Sequence, residues 1–212
     1  MNGGIASIRD VEGDVVTASF AVVLPDEPVP VRLMNTIWAD RNGVHDALTT
    51  PGDLRAWLAA AYPDDKVRGA DLARFRGLRD ALRRLAALLT GDERPAAAAT
   101  TDAKRAVAEV NDAAALAPGW PQLVLRGGEL RQTTAGPATA GDRLLTSIAH
   151  EAIALFTGDD RAELRACHAP GCVLYFVQDH PRRAWCSTAC GNRARVARHY
   201  ERHHRTPAAD ER

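Results

Sequence analysis

All four cysteines of this 212-residue chain stand in its last third, as Cys167, Cys172, Cys186 and Cys190. They form two short pairs, Cys-x4-Cys and Cys-x3-Cys, joined by thirteen residues. No other feature restricts the fold as tightly. Two closely spaced thiol pairs can offer four thiolates at the corners of a tetrahedron, the arrangement a structural Zn²⁺ requires, and the connector is long enough to bring the pairs together through a hairpin. Pro170 and Gly171 lie inside the first pair, where a tight turn needs one residue with a preset φ and one that tolerates positive φ. Two disulfides in a secreted domain are the alternative use of four cysteines. The opening Met-Asn-Gly-Gly-Ile-Ala-Ser-Ile-Arg-Asp lacks the basic start and apolar core of a secretion signal, so a reducing, cytoplasmic setting and a Cys₄ zinc site are expected.

Around the thiols the local signals fall in order. Val173 to Val177 is a β-branched and aromatic run suited to a strand, Asp179-His180-Pro181 turns the chain, and Trp185 leads back to the second pair. From about Ser187 the composition favours a helix starting at the metal. The expected finger is therefore knuckle, β-hairpin, knuckle, helix. His168 and His180 are near enough to compete as ligands, but four thiolates already fill the shell.

Charge is distributed unevenly. The chain has 27 basic and 27 acidic residues, yet residues 161–212 hold ten Arg against five acids, so the first 160 residues carry −5. Between Arg182 and Arg205 seven Arg face only Glu201. Such density is the electrostatic footprint of a nucleic-acid surface. On a helix from Ser187, Arg195, Arg198, Arg202 and Arg205 share one face, while Asn192, Val196 and Tyr200 form another stripe expected to pack on Trp185, Tyr175 or Phe176. An arginine row neutralises phosphates or reads guanine edges; the competing reading is a solvated face in an Arg-biased chain whose only lysines are Lys66 and Lys104. Arg182 and Arg183 at the hairpin end are candidate phosphate contacts. Asn192 and Arg193, in the first turn after the last ligand, suit either nucleic acid or bracing of the thiolates.

The first 160 residues read as mainly helical with minor β structure. Strands are expected over Val15 to Leu24, before Pro25, Pro28 and Pro30 break the pattern. Thr50-Pro51-Gly52-Asp53 is a helix start, with Leu54, Trp57, Leu58 and Tyr62 as its apolar stripe. From Ala70 to Leu89, Leu72, Phe75, Leu78, Leu82, Leu85 and Leu89 keep a helical face, with charges expected on the other side. Further helices are expected over Asp102 to Leu116 and Asp142 to Phe156, and Gly127-Gly128 should join a small hairpin. Trp38, Trp57 and Trp120 should be core or rim residues. Two units are expected, 1–160 and 161–208, and no apolar run approaches the roughly twenty residues that cross a bilayer.

The series Cys167-His168-Ala169-Pro170-Gly171-Cys172, Leu174-Tyr175-Phe176, Arg182-Arg183-Ala184-Trp185-Cys186-Ser187 and Cys190-Gly191-Asn192-Arg193 resembles the CGNR zinc-finger family over about fifty residues. Leu33-Met34-Asn35-Thr36 and Thr50 to Leu58 resemble the opening motifs of the ABATE domain, which usually precedes that finger, with Met34 where a bulkier apolar residue is usual. The resemblance implies a bacterial, stress-induced transcription regulator whose finger helix meets DNA and whose helical domain senses a signal or mediates assembly. Asn35 in that motif reads as a helix cap or a ligand contact, the cap being favoured.

Catalytic constellations fail on inspection, so no enzyme is expected. His150-Glu151 opens a metalloprotease-like pattern, but Ala154 stands where the second histidine belongs. Asp64-Asp65 and Asp159-Asp160 sit at expected helix ends, where dipole-favoured carboxylates are common. Three classes stay open: a zinc-dependent nucleic-acid-binding regulator, on DNA or RNA; a protein-interaction module with a purely structural zinc; and a helical enzyme with an accessory finger. A single finger buries little surface, so a homodimer formed through the helical domain is expected in the first class.

Overall fold

The computed structural model describes residues 24–63, 67–95 and 102–204. Most of the strand expected over Val15 to Leu24, the Asp64-Asp65 pair and Arg205 lie outside them. Helices dominate, with three two-stranded antiparallel pairs among the described residues.

The proline cluster leads into an element. Helix α1, Val29–Met34, has Pro28 at its N-cap and Pro30 in its first turn, where the missing amide would have had no helical partner. A hairpin that the sequence reading missed follows, β1 (Ile37–Asp40) against β2 (Gly43–Asp46). Its turn is Arg41-Asn42, with Gly43 at φ +124°, and the Asn42 amide donates to Asp40 Oδ1 at 2.7 Å. Helix α2, Pro51–Ala61, starts where expected, on a capping box between Thr50 and Asp53, and buries Leu54, Trp57 and Leu58.

Helix α3, Leu72–Thr90, is the central element. Asp71 caps its first amides and Gly91, at φ +63°, ends it in the left-handed conformation that glycine adopts freely. It packs against α1, α4 (Ala103–Ala115) and α5 (Ala140–Thr157), and the bounds of α4 and α5 lie within two residues of expectation. Gly141 lets α5 approach the preceding segment: a Cβ there would stand 2.5 Å from Ala70 N and Cα. The charge pattern of α3 departs from expectation. Arg79 and Arg83 share the buried face with Phe75, Leu78 and Leu82, at 2 % and 1 % exposure. Asp46 holds Arg79 with two bonds, at 2.6 and 3.0 Å. Arg83 donates to the carbonyls of Met34 at 2.9 Å and Val173 at 3.1 Å, and lies over the Tyr175 ring. A buried guanidinium is tolerated when its terminal nitrogens are satisfied in this way.

Strands β3 (Trp120–Arg126) and β4 (Glu129–Ala135) form the expected hairpin, turned by Gly127 and Gly128 at φ +58° and +83°. Two successive positive φ values are what a tight right-twisted hairpin demands. Leu123, Leu125 and Leu130 are exposed, and so is Trp120, which the sequence placed in core or rim.

A 3-10 turn, Asp159–Glu163, leads into β5 (Leu164–Ala166), which pairs with β6 (Tyr175–Val177). This corrects the expected finger. The hairpin encloses the first cysteine pair rather than filling the connector, and the partner of β6 comes from before Cys167. Because β-strand side chains alternate, β6 serves two cores. Tyr175 joins the helical core with Leu164 and Ala166, whereas Phe176 joins the cysteines, Ala169 and Leu174 in a small second core. Trp38 of β1 and Trp185 complete that second core. Helix α6, Thr188–His204, closes the described chain.

Candidate metal centre and basic helix

The first half-site is a loop between β5 and β6. The Cys167 amide donates to the Leu174 carbonyl and the Cys172 amide to that of Ala169, both at 2.9 Å, closing a turn through Gly171 at φ +72°. The second half-site begins two residues before α6, at Cys186, and ends in its first turn, at Cys190. Ser187 Oγ accepts from the Cys190 amide at 3.2 Å, an N-terminal capping contact that points both thiols inward.

The four sulfurs lie within 4.8 Å of one another and all four residues are buried. Cys172 and Cys186 Sγ are 3.8 Å apart, and Cys186 and Cys190 Sγ 3.4 Å. A tetrahedral Zn²⁺ with bonds of about 2.3 Å needs sulfur separations of about 3.8 Å, so the donor set fits that ion. Hydrogen bonds from Cys172 and Cys186 hold the Cys167 thiol far below its ordinary range, while the bond to Cys167 pushes Cys172 up to about 12 and shifts Cys186 upward as well. A thiolate at Cys167 disfavours ionisation of Cys172 and Cys186, a repulsion that a bound divalent cation would offset.

The Cys190-Gly191-Asn192-Arg193 run divides its tasks. Gly191 is buried under the Trp185 indole, 3.2 Å from where a Cβ would stand. Arg193 Nη2 donates to Cys190 Sγ at 2.9 Å. Asn192 Oδ1 accepts from Arg195. Of the two histidines near the thiols, His168 is exposed and His180 Nδ1 accepts from the Arg182 amide.

On α6 the buried seam is Cys190, Gly191 and Ala194. Val196 and Tyr200, expected to pack inward, are 55 % and 60 % exposed. The small residues of the seam let the helix sit close to the metal core, which turns the larger side chains outward. Arg195, Arg198 and Arg202 are exposed and form no ion pair with a carboxylate among the described residues. Arg198 and Arg202 each donate Nε to the carbonyl four residues earlier, at 3.2 Å. His199 and His203 lie beside them, with ring centroids 4.2 Å apart and ring planes tilted by 45°. Arg182 is exposed. Arg183 has a different occupation: it pairs with Glu27 at 2.6 Å, donates to the Val177 and Cys186 carbonyls at 3.0 and 3.3 Å, and covers the Phe176 ring.

Residues outside the expected ligand and nucleic-acid sets hold this site in place. Asn35 is at the C-cap of α1 as expected, but its side chain grips β6, donating to the Tyr175 carbonyl and accepting from its amide, both at 2.9 Å. Tyr175 Oη donates to Asp92 at 2.9 Å. Asp92 also receives Arg94, whose Nη1 donates to the Cys167 and Cys172 carbonyls. Burial opposes the Asp92 carboxylate, yet these bonds more than offset it and keep its pKa below 3.8.

Fold and site together define a helical domain into whose core a four-cysteine metal-binding finger is built. The chain belongs to the ABATE family, described as a putative stress-induced transcription regulator, which matches residues 27–159; residues 163–203 match the CGNR zinc finger. No curated protein matches the chain. No helix among the described residues is long and apolar enough to cross a membrane.

Proposed function

We propose that the chain is a zinc-dependent DNA-binding transcription regulator in which α6 supplies the DNA contact and the helical domain senses a signal or mediates assembly. The observation that carries this reading is the exposed row of Arg195, Arg198 and Arg202 opposite the metal-facing seam, without carboxylate partners among the described residues. Cations left unpaired on a rigid helix suit a polyanion, because neutralising phosphates releases counterions. Arg182 and Asn192 flank the row, and Arg205 continues it in sequence. Arg183 and Arg193 are better employed bracing the metal centre than on DNA, given their contacts with Glu27 and the Cys190 sulfur.

A homodimer formed through the helical domain belongs to the same proposal, since one finger offers less surface than selective DNA binding uses. The exposed Leu123, Leu125 and Leu130 of the β3–β4 hairpin support a contact there. Sedimentation of monomer alone under DNA-binding conditions would remove it.

The test is binding of the zinc-loaded chain to mixed duplex DNA across a salt series, beside the variant Arg195→Ala, Arg198→Ala, Arg202→Ala. Loss of three phosphate contacts should reduce the salt slope by about 2.7. Absence of binding at low salt would favour a protein-interaction module with a structural zinc, and a preference for single-stranded RNA would redirect the reading to RNA.

A further inference from the structure

Each half-site of the metal centre is gripped by an arginine that is itself locked to a buried carboxylate. In the first, Asp92, whose side chain has no solvent exposure, takes Arg94 Nε and Nη2 at 2.6 Å each. That fork leaves Nη1 to donate to the Cys167 carbonyl at 2.7 Å and to the Cys172 carbonyl. In the second, Glu27, 3 % exposed at its side chain, takes Arg183 Nη2 at 2.6 Å, and the same nitrogen reaches the Cys186 carbonyl at 3.3 Å. Arg183 Nη1 holds the Val177 carbonyl, while the other oxygen of Glu27 accepts the Val177 amide at 2.8 Å. Both carboxylates lie outside the finger: Asp92 follows the C-cap of α3 and Glu27 precedes α1.

Carbonyls of ligand residues set the direction in which the following turn runs, and hence where the sulfur points. The cations contribute a second effect. Zn²⁺ with four thiolates carries two negative charges, so guanidinium groups close to it stabilise the loaded state, most strongly where solvent is excluded.

We propose that Arg94 and Arg183 are positioning residues of the metal centre, Arg94 placing Cys167 and Cys172 and Arg183 placing Cys186, each from a buried carboxylate of the helical domain. The proposal rests on reading the four cysteines as a metal site. It makes metal affinity a property of the whole chain, and gives the helical domain a route to the finger: displacement of Asp92 or Glu27 loosens one half-site.

The experiment measures Zn²⁺ affinity of the full chain by competition with a chromophoric chelator, and site integrity by the thiolate charge-transfer band of Co²⁺. Arg94→Met and Arg183→Met should each weaken Zn²⁺ roughly 10- to 100-fold, with Arg94→Lys between Arg94→Met and the parent. Asp46→Asn serves as the control, because the partners of Asp46 (Arg79, Arg76 and the Leu48 amide) all lie in the helical domain. It should lower the melting temperature and leave Zn²⁺ affinity unchanged. Methionine variants within twofold of the parent, or a control that weakens Zn²⁺ as much as they do, would overturn the proposal. A parent chain giving no Co²⁺ thiolate band would instead overturn the metal reading beneath it.

Discussion

Replacing Asn35 by alanine should destabilise the protein far more than its place at the end of a six-residue helix suggests. Asn35 is 1 % exposed and Tyr175 fully buried, and the two bonds between them, both 2.9 Å, satisfy the amide and the carbonyl of Tyr175. Alanine leaves both backbone groups without that partner. An orphaned buried donor or acceptor costs roughly 1–3 kcal/mol, so a loss of about 3 kcal/mol is expected, a large share of the roughly 5–15 kcal/mol that holds a domain together. At roughly 2–4 °C per kcal/mol for a chain of this size, the melting temperature should fall by about 6–12 °C. Differential scanning calorimetry of the zinc-loaded protein measures this directly. Asn35→Asp is the informative companion: it keeps the acceptor for the Tyr175 amide but loses the donor to the carbonyl and buries a charge, so it should be no more stable than Asn35→Ala. A fall of less than about 2 °C for Asn35→Ala would refute the view that this side chain acts as the missing edge partner of β6.

Three further expectations are simpler. Gly141→Ala should destabilise by about 3 kcal/mol, because its Cβ would press on the Ala70 backbone at 2.5 Å and backbone cannot swing aside; a melting temperature equal to the parent's would show that α5 can shift at no cost. Metal removal by chelator should release α6 while β5, β6 and the helical core persist, since Leu164, Ala166 and Tyr175 are packed in that core; hydrogen exchange should rise over 186–204 and stay slow over 164–166 and 175–177, and uniform loss of protection would contradict this. The Asp92 carboxyl is held below 3.8 in the fold, so its contribution is present above the unfolded value and is lost as pH falls through the depressed one; Asp92→Asn should be less stable than the parent at pH 7, and the gap should narrow below about pH 4. A gap that does not change with pH would refute the assignment.

The parts legible in the sequence are those governed by neighbours a few residues apart. The cysteine pairs, the Thr50 capping box, the α3 stop at Gly91, the Gly127-Gly128 turn and the bounds of α4 and α5 all follow from local dihedral preferences and capping. What only the tertiary structure decided depends on partners far along the chain. Arg79 and Arg83 looked like solvated charges on α3, and their burial becomes tolerable only because Asp46 lies 33 residues away in sequence and the Val173 carbonyl 90. The partner of β6, the grip of Asn35 across 140 residues, and the inward turn of Arg183 toward Glu27 across 156 have the same character. Local patterning determines which segments become helix, strand or metal turn. Whether a polar side chain ends in water or inside depends on whether folding delivers a counter-charge or a carbonyl to it, and no window of sequence around that side chain contains the answer.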